Sequence, residues 1–174
     1  MLKLVRQGLA MMTDVISEVA DLMRQASQTY ATGNVSRAVE LIDAAIRLAE
    51  NANATELVLE GWLFRALYLT DPAGDLSALV APTQNLLAFY ARQGNILKQL
   101  ESLLNLAGLM IKRGSKQMAL GYLEDAERLL SSLSPSDIDK LSKQRVESAI
   151  PTEAVLKFKS DEIHRLRQYL LDHT

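Results

Sequence analysis

The sequence predicts an all-α fold, and three features lead to that prediction. Apolar residues recur at helical spacing, as in the series Val15, Val19, Leu22, Met23 and Ala26, which would lie on one helix face. Residues that lose little entropy in helices dominate the chain, aromatics make up only 5%, and no long segment alternates apolar and polar residues as a strand would. The 8 glycines and 4 prolines lie mostly between the periodic segments.

Breaks in the periodic pattern divide the chain into helices. Glycine favours helix ends because it adopts the left-handed conformation without a Cβ clash, and Ser134-Pro135 supplies a capping serine followed by a proline at the first helical position. Pro82 either kinks its helix or marks the start of it. The predicted helices cover about 3–12, 14–32, 35–51, 54–70, 75–93, 96–113, 116–132, 136–149 and 152–172.

An internal repeat relates these helices. Residues 30–38 and 111–119 show a similar pattern around Gly33 and Gly114, and Gly74 lies about midway between those two glycines. A period of about 40 residues with one helical hairpin per period is typical of a helical solenoid. One hairpin buries only one of its faces, so such hairpins must stack on one another.

The repeats resemble the tetratricopeptide-repeat (TPR) family. The resemblance rests on bulky and small residues of the first helix, a turn with glycine, and paired small residues of the second helix. In the third repeat the matching residues are Leu103, Leu106, Ala107, Gly114, Ala119, Leu123 and Ala126. In the first repeat they are Leu22, Ala26, Tyr30, Gly33, Asn34, Ala38, Ile42 and Ala45. In the second repeat they are Trp62, Ala66, Gly74 and Asp75. It implies a TPR-like α-solenoid over residues 1–134, with repeats at about 14–51, 54–93 and 96–132.

Residues 135–174 are expected to cap the array with two helices, because the last hairpin of a solenoid exposes an apolar face. Within the hairpins, Ala38, Ala45, Ala119 and Ala126 are small enough to let two helices approach closely. The last helix should pack through one stripe, which contains Val155, Phe158, Glu162, Leu166, Tyr169 and Leu170.

The resemblance also implies a concave groove lined by the first helix of each repeat. The matching positions are Met23, Ser27, Tyr30, Leu63, Leu67, Leu104, Gly108 and Ile111. This set is apolar and lacks the Lys and Asn of the family's clamp for acidic peptide tails. It favours a partner's hydrophobic helix or extended peptide. Two alternatives stay open: these residues belong to the core, or the chain's own last helix fills the groove.

Basic residues concentrate around the third repeat. The predicted basic patch contains Arg92, Lys98, Lys112, Arg113 and Lys116. A solvated helix surface is the favoured interpretation, and steering of an acidic partner is an alternative. Nucleic acid is disfavoured because no aromatic residues alternate with these cations. Trp62, the only tryptophan, is expected to be buried between two hairpins rather than exposed as a binding residue.

Composition argues against most chemistry. The chain has no cysteine, its two histidines lie near the C-terminus, and no phosphate loop or nucleophile elbow occurs. We therefore expect neither catalytic activity nor a bound metal or cofactor. Because the net charge is −2 and no long apolar span occurs, we expect neither nucleic acid nor a membrane as partner. The expected location is cytoplasmic. The predicted function is protein binding as an adaptor, dedicated chaperone or regulatory subunit. The alternatives are a small-molecule or peptide sensor and a self-associating homodimer.

Overall fold

The computed structural model describes residues 2–70, 74–144 and 150–173, and the side chains among them except those of residues 2–12 and 144. Every regular element in these ranges is helical, which confirms the predicted all-α class. The elements are α1 (Leu2–Ala31), α2 (Val35–Asn51), α3 (Thr55–Leu69), a 3-10 turn (Leu76–Leu79), α4 (Val80–Gln93), α5 (Ile96–Lys112), α6 (Lys116–Ser131), α7 (Pro135–Gln144) and α8 (Thr152–Asp172).

Two boundaries differ from the predicted ones. The helices predicted at 3–12 and 14–32 are one continuous helix, α1, because neither glycine nor proline interrupts the chain between Leu9 and Ala31. The helix predicted at 75–93 begins with the 3-10 turn, and Pro82 lies in the first turn of α4, where its missing amide hydrogen costs no helical bond. The predicted turn at 71–75 and the end of the helix predicted at 136–149 fall partly outside the described residues.

Four turns between helices are closed in the same way. In each, one residue with positive φ follows the helix, and the amide of the next residue donates to the carbonyl five positions earlier, which is the Schellman pattern. The left-handed residues are Gly33, Asn53, Gly94 and Gly114, with φ of 84°, 55°, 65° and 69°. The closing bonds run from Asn34 to Thr29, from Ala54 to Ala49, from Asn95 to Tyr90 and from Ser115 to Met110, at 2.8–3.2 Å. Along the chain these four residues are separated by 20, 41 and 20 positions.

The chain forms two compact units, Met1–Phe89 and Tyr90–Thr174. In the N-terminal unit, α2 packs against both α1 and α3. The predicted small residues Ala38 and Ala45 are fully buried there beside Ile42. α3 approaches α2 closely at Gly61, where an added Cβ would lie 2.6 Å from Cγ1 of Ile46.

The C-terminal unit is built on the hairpin of α5 and α6. Ala119 and Ala126 are again fully buried, as predicted, together with Leu106 and Leu123. α8 packs against α6 and α5, and Arg167 Nη1 lies 2.9 Å from Glu127 Oε1 of α6. The two predicted capping helices thus share one unit with the third predicted repeat.

The packed face of α8 is rotated from the predicted stripe. Ile163 and Leu170 are buried, whereas Phe158 and Tyr169 are exposed. The prediction was wrong for these two aromatics because the surface offered by α5 and α6 selects the buried face, and a helix with apolar residues on more than one side leaves that selection open.

A capping box starts α7. The hydroxyl of Ser134 donates to Oδ2 of Asp137 at 2.6 Å, and the Ser134 amide donates to the same oxygen at 3.1 Å. These bonds favour the carboxylate and hold the pKa of Asp137 below its ordinary value. The predicted capping serine is therefore confirmed.

Candidate functional site

The predicted groove positions of α1 meet α3 through Tyr68. The hydroxyls of Ser27 and Tyr68 are 2.9 Å apart, and the rings of Tyr30 and Tyr68 stack with centroids 4.6 Å apart. Phe64 continues this aromatic group at 6.2 Å from Tyr68. Ser27 and Tyr30 thus both contact Tyr68. Tyr68 was missed by the sequence reasoning, and no local signal marks it as the residue that joins the two helices.

The remaining predicted positions of the N-terminal unit differ in exposure. Met23 is buried in the core of α1 and α2, Leu63 is half-buried, and Leu67 is 41% exposed. A partner could therefore reach Leu67 and the exposed part of Leu63, but not Met23.

The outer side of α3 is also apolar. Trp62 is 45% exposed and Leu69, about two helical turns further along α3, is 57% exposed. The predicted burial of Trp62 is wrong. Gly61 faces Ile46 of α2, and the next residue along a helix lies about 100° around the axis, so Trp62 falls on the flank of the buried face.

Arg65 is fixed beside this tryptophan. Its Nε donates to Oδ1 of Asp43 on α2 at 2.7 Å, and its guanidinium carbon lies 5.9 Å from the centroid of the Trp62 ring. The ion pair is about one-third exposed, and it orients a planar cation next to the exposed ring. We call Trp62, Leu63, Leu67 and Leu69 the α3 surface.

The predicted positions on α5 belong to the C-terminal unit. Leu104 is 5% exposed, and Gly108 and Ile111 are half-buried. α8 packs on α5 as well as on α6. Leu104 is therefore part of the interior of this unit, as the alternative of a core position anticipated.

The predicted basic patch separates into two groups at opposite ends of α5. Lys98 lies in its first turn, beside Tyr90 and 3.5 Å from the carboxylate of Glu101. Lys112 and Arg113 lie at its other end, about 21 Å along the axis from Lys98. Arg92 lies in the last turn of α4, and Lys116 is the first residue of α6. One acidic ligand of small size would therefore contact one group or the other.

Neither a family model, a curated protein nor a solved structure matches this chain.

Within the described residues, no group of three or more Asp, Glu or His side chains is placed to hold a metal ion. In the same residues, no helix is both long enough and apolar enough to cross a membrane. Among the large apolar side chains described in the N-terminal unit, Leu69 and Trp62 of the α3 surface have the highest exposed fractions.

Proposed function

We propose that this chain is a non-catalytic protein-interaction module, whose α3 surface binds a helix or an extended peptide of another protein. The observation that carries this proposal is the exposure of Trp62 and Leu69 on one flank of α3 and of Leu67 on the other flank. The side of α3 between these flanks, which holds Gly61 and Tyr68, is packed in the core. Exposed apolar side chains clustered in this way mark interaction surfaces in soluble proteins.

The residue types on this surface support the proposal. Tryptophan and arginine are enriched among the residues that dominate binding energy at protein interfaces, and Trp62 has Arg65 beside it. An amphipathic partner helix could place apolar residues at i, i+3, i+4 and i+7 against one of these flanks. The ion pair of Arg65 with Asp43 joins α3 to α2 beside Trp62, and a side chain that is held in place before binding loses less entropy when a partner binds.

The TPR-like solenoid remains part of this proposal. It is supported by the repeated Schellman turns and by buried alanines at matching places in α2 and α6. In that family the first helices of the repeats line the binding surface, and α3 would be such a helix.

The test is affinity purification from the native host followed by mass spectrometry, using the wild type and Leu67→Glu. Leu67 is 41% exposed, so the substitution should change the free energy of unfolding by only about 0.5 kcal/mol. A carboxylate buried without a partner in the interface should weaken binding by about tenfold or more.

Leu171→Glu is the matched control, because Leu171 is an exposed leucine of α8 in the other unit. The same proteins should be captured by the wild type and by this control, and lost with Leu67→Glu. Size-exclusion chromatography of all three distinguishes a second copy of the chain from a different partner. Capture that survives Leu67→Glu, with helicity unchanged by circular dichroism, would contradict the proposal.

A further inference from the structure

The C-terminal unit contains an open hollow of about 380 Å³ between α5 and α6. Its size is within the range of small-ligand pockets, about 300–1,000 Å³. It is lined by Gln99, Leu103, Asp125, Arg128, Leu129 and Ser132. Leu103 is buried and Leu129 half-buried, so the floor is aliphatic, while the other four side chains are polar.

The rim carries one positive and one negative charge side by side. Arg128 Nη2 lies 2.8 Å from Asp125 Oδ1, and the two side chains are 76% and 52% exposed. An ion pair this exposed contributes little to stability. Asp125 has a second carboxylate oxygen and Arg128 has further N–H donors, so each can accept another partner without leaving the first.

The two neutral polar side chains of the rim each present an acceptor oxygen. Gln99 uses its Nε2 to donate to the Tyr90 carbonyl at 3.3 Å, so its amide oxygen is directed away from that bond and can accept. Ser132 donates its hydroxyl hydrogen to the Leu129 carbonyl at 2.8 Å, which leaves the lone pairs of its oxygen as acceptors.

We propose that this hollow binds a free aliphatic α-amino acid in its zwitterionic form. The α-carboxylate pairs with Arg128, the α-ammonium pairs with Asp125, and the side chain rests on Leu103 and Leu129. A ligand with a single charge would lie next to a rim group of its own sign, whereas a zwitterion places each charge beside its opposite. The site lies in the other unit from the α3 surface and does not depend on the proposed function.

The experiment is a titration of the ¹⁵N-labelled full chain with L-leucine, followed by amide chemical shifts. Shift changes should be confined to residues of the hollow, with a dissociation constant in the millimolar range because both ion pairs are solvent-exposed. N-acetyl-L-leucine, which lacks the ammonium, and L-leucinamide, which lacks the carboxylate, should each bind about fivefold more weakly.

Substitutions in the protein provide the reciprocal test. Asp125→Asn and Arg128→Gln should each weaken L-leucine binding about fivefold. Arg113→Gln, at an exposed arginine of the same hairpin outside the hollow, should leave it unchanged. The proposal is overturned if L-leucine shifts no amide of the hollow, if the shifts lie elsewhere, or if the two blocked analogues bind as well as L-leucine.

Discussion

Because α3 approaches α2 closely, we expect one added methyl group at position 61 to lower the free energy of unfolding. A Cβ at position 61 would lie 2.6 Å from Cγ1 of Ile46, inside the contact distance of two carbon atoms. Ile46 is 4% exposed, and Cγ1 is attached directly to its Cβ, so the side chain has little room to move aside. Overpacking of this kind costs about 1–3 kcal/mol.

Gly61→Ala also gains helix propensity, which offsets part of that cost by about 1 kcal/mol. The net expectation is a loss of about 1 kcal/mol in the free energy of unfolding of the N-terminal unit. Gly121→Ala is the matched control, because Gly121 lies within α6 and an added Cβ there meets no atom within 4 Å. That substitution should gain up to about 1 kcal/mol.

Urea unfolding measures both variants, with far-UV circular dichroism as a probe of all helices. Fluorescence of Trp62, the only tryptophan and the neighbour of residue 61, reports on α3 itself. The urea midpoint should fall for Gly61→Ala and rise for Gly121→Ala, with the slope m unchanged. A rise in the midpoint for Gly61→Ala would refute the packing argument.

A double-mutant cycle then attributes the loss to its cause. Ile46→Ala removes Cγ1, so it should cost less in the Gly61→Ala background than in the wild type, by about 1 kcal/mol or more. Equal costs in both backgrounds would mean that these two positions do not share the contact.

Two further predictions follow from hydroxyl contacts. Tyr68→Phe should lower the free energy of unfolding by about 1 kcal/mol, because it removes the hydrogen bond to Ser27. Adding Ser27→Ala to Tyr68→Phe should lower it little further, because that bond is already gone. Urea midpoints of the two single variants and the double variant check this. The lowered pKa of Asp137 means that its contribution to stability is present above the ordinary value of 3.8 and is lost as the pH falls through the lower, folded-state value. Ser134→Ala removes the hydroxyl bond and keeps the amide bond, so it should raise the pKa of Asp137, as measured by ¹³C carboxyl titration. An unchanged pKa would exclude the hydroxyl bond as a cause of the lowered value.

Local signals explain why most of the fold could be predicted from the sequence. Gly33 and Gly114 end helices because they adopt φ values that other residues avoid, which is a property of the residue and not of its neighbours. Asn53 has the same role without being glycine, since asparagine tolerates the left-handed conformation. Buried alanines at Ala38 and Ala119 follow from helix spacing alone.

The candidate site was less predictable because it depends on which face of a helix packs inward. α3 is apolar around most of its circumference, so its sequence gives no single face to bury, and the assignment of Trp62 to the interior failed for that reason. Tyr68 joins Ser27 across 41 positions of the chain. Such a contact arises only when α1 and α3 come together, and nothing in the local sequence of either helix specifies it.

Burial also decides which substitutions can test a binding surface. Leu104 and Leu67 were predicted to line the same groove, but a glutamate at Leu104 would be buried in the C-terminal unit and would cost several kcal/mol of folding free energy. Loss of capture by Leu104→Glu would then report on unfolding as much as on binding. Leu67 is exposed enough for its glutamate to remain hydrated in the free chain and to be buried only by a partner. Because the penalty at Leu67 arises only when a complex forms, this position separates recognition from stability, and Leu104 does not.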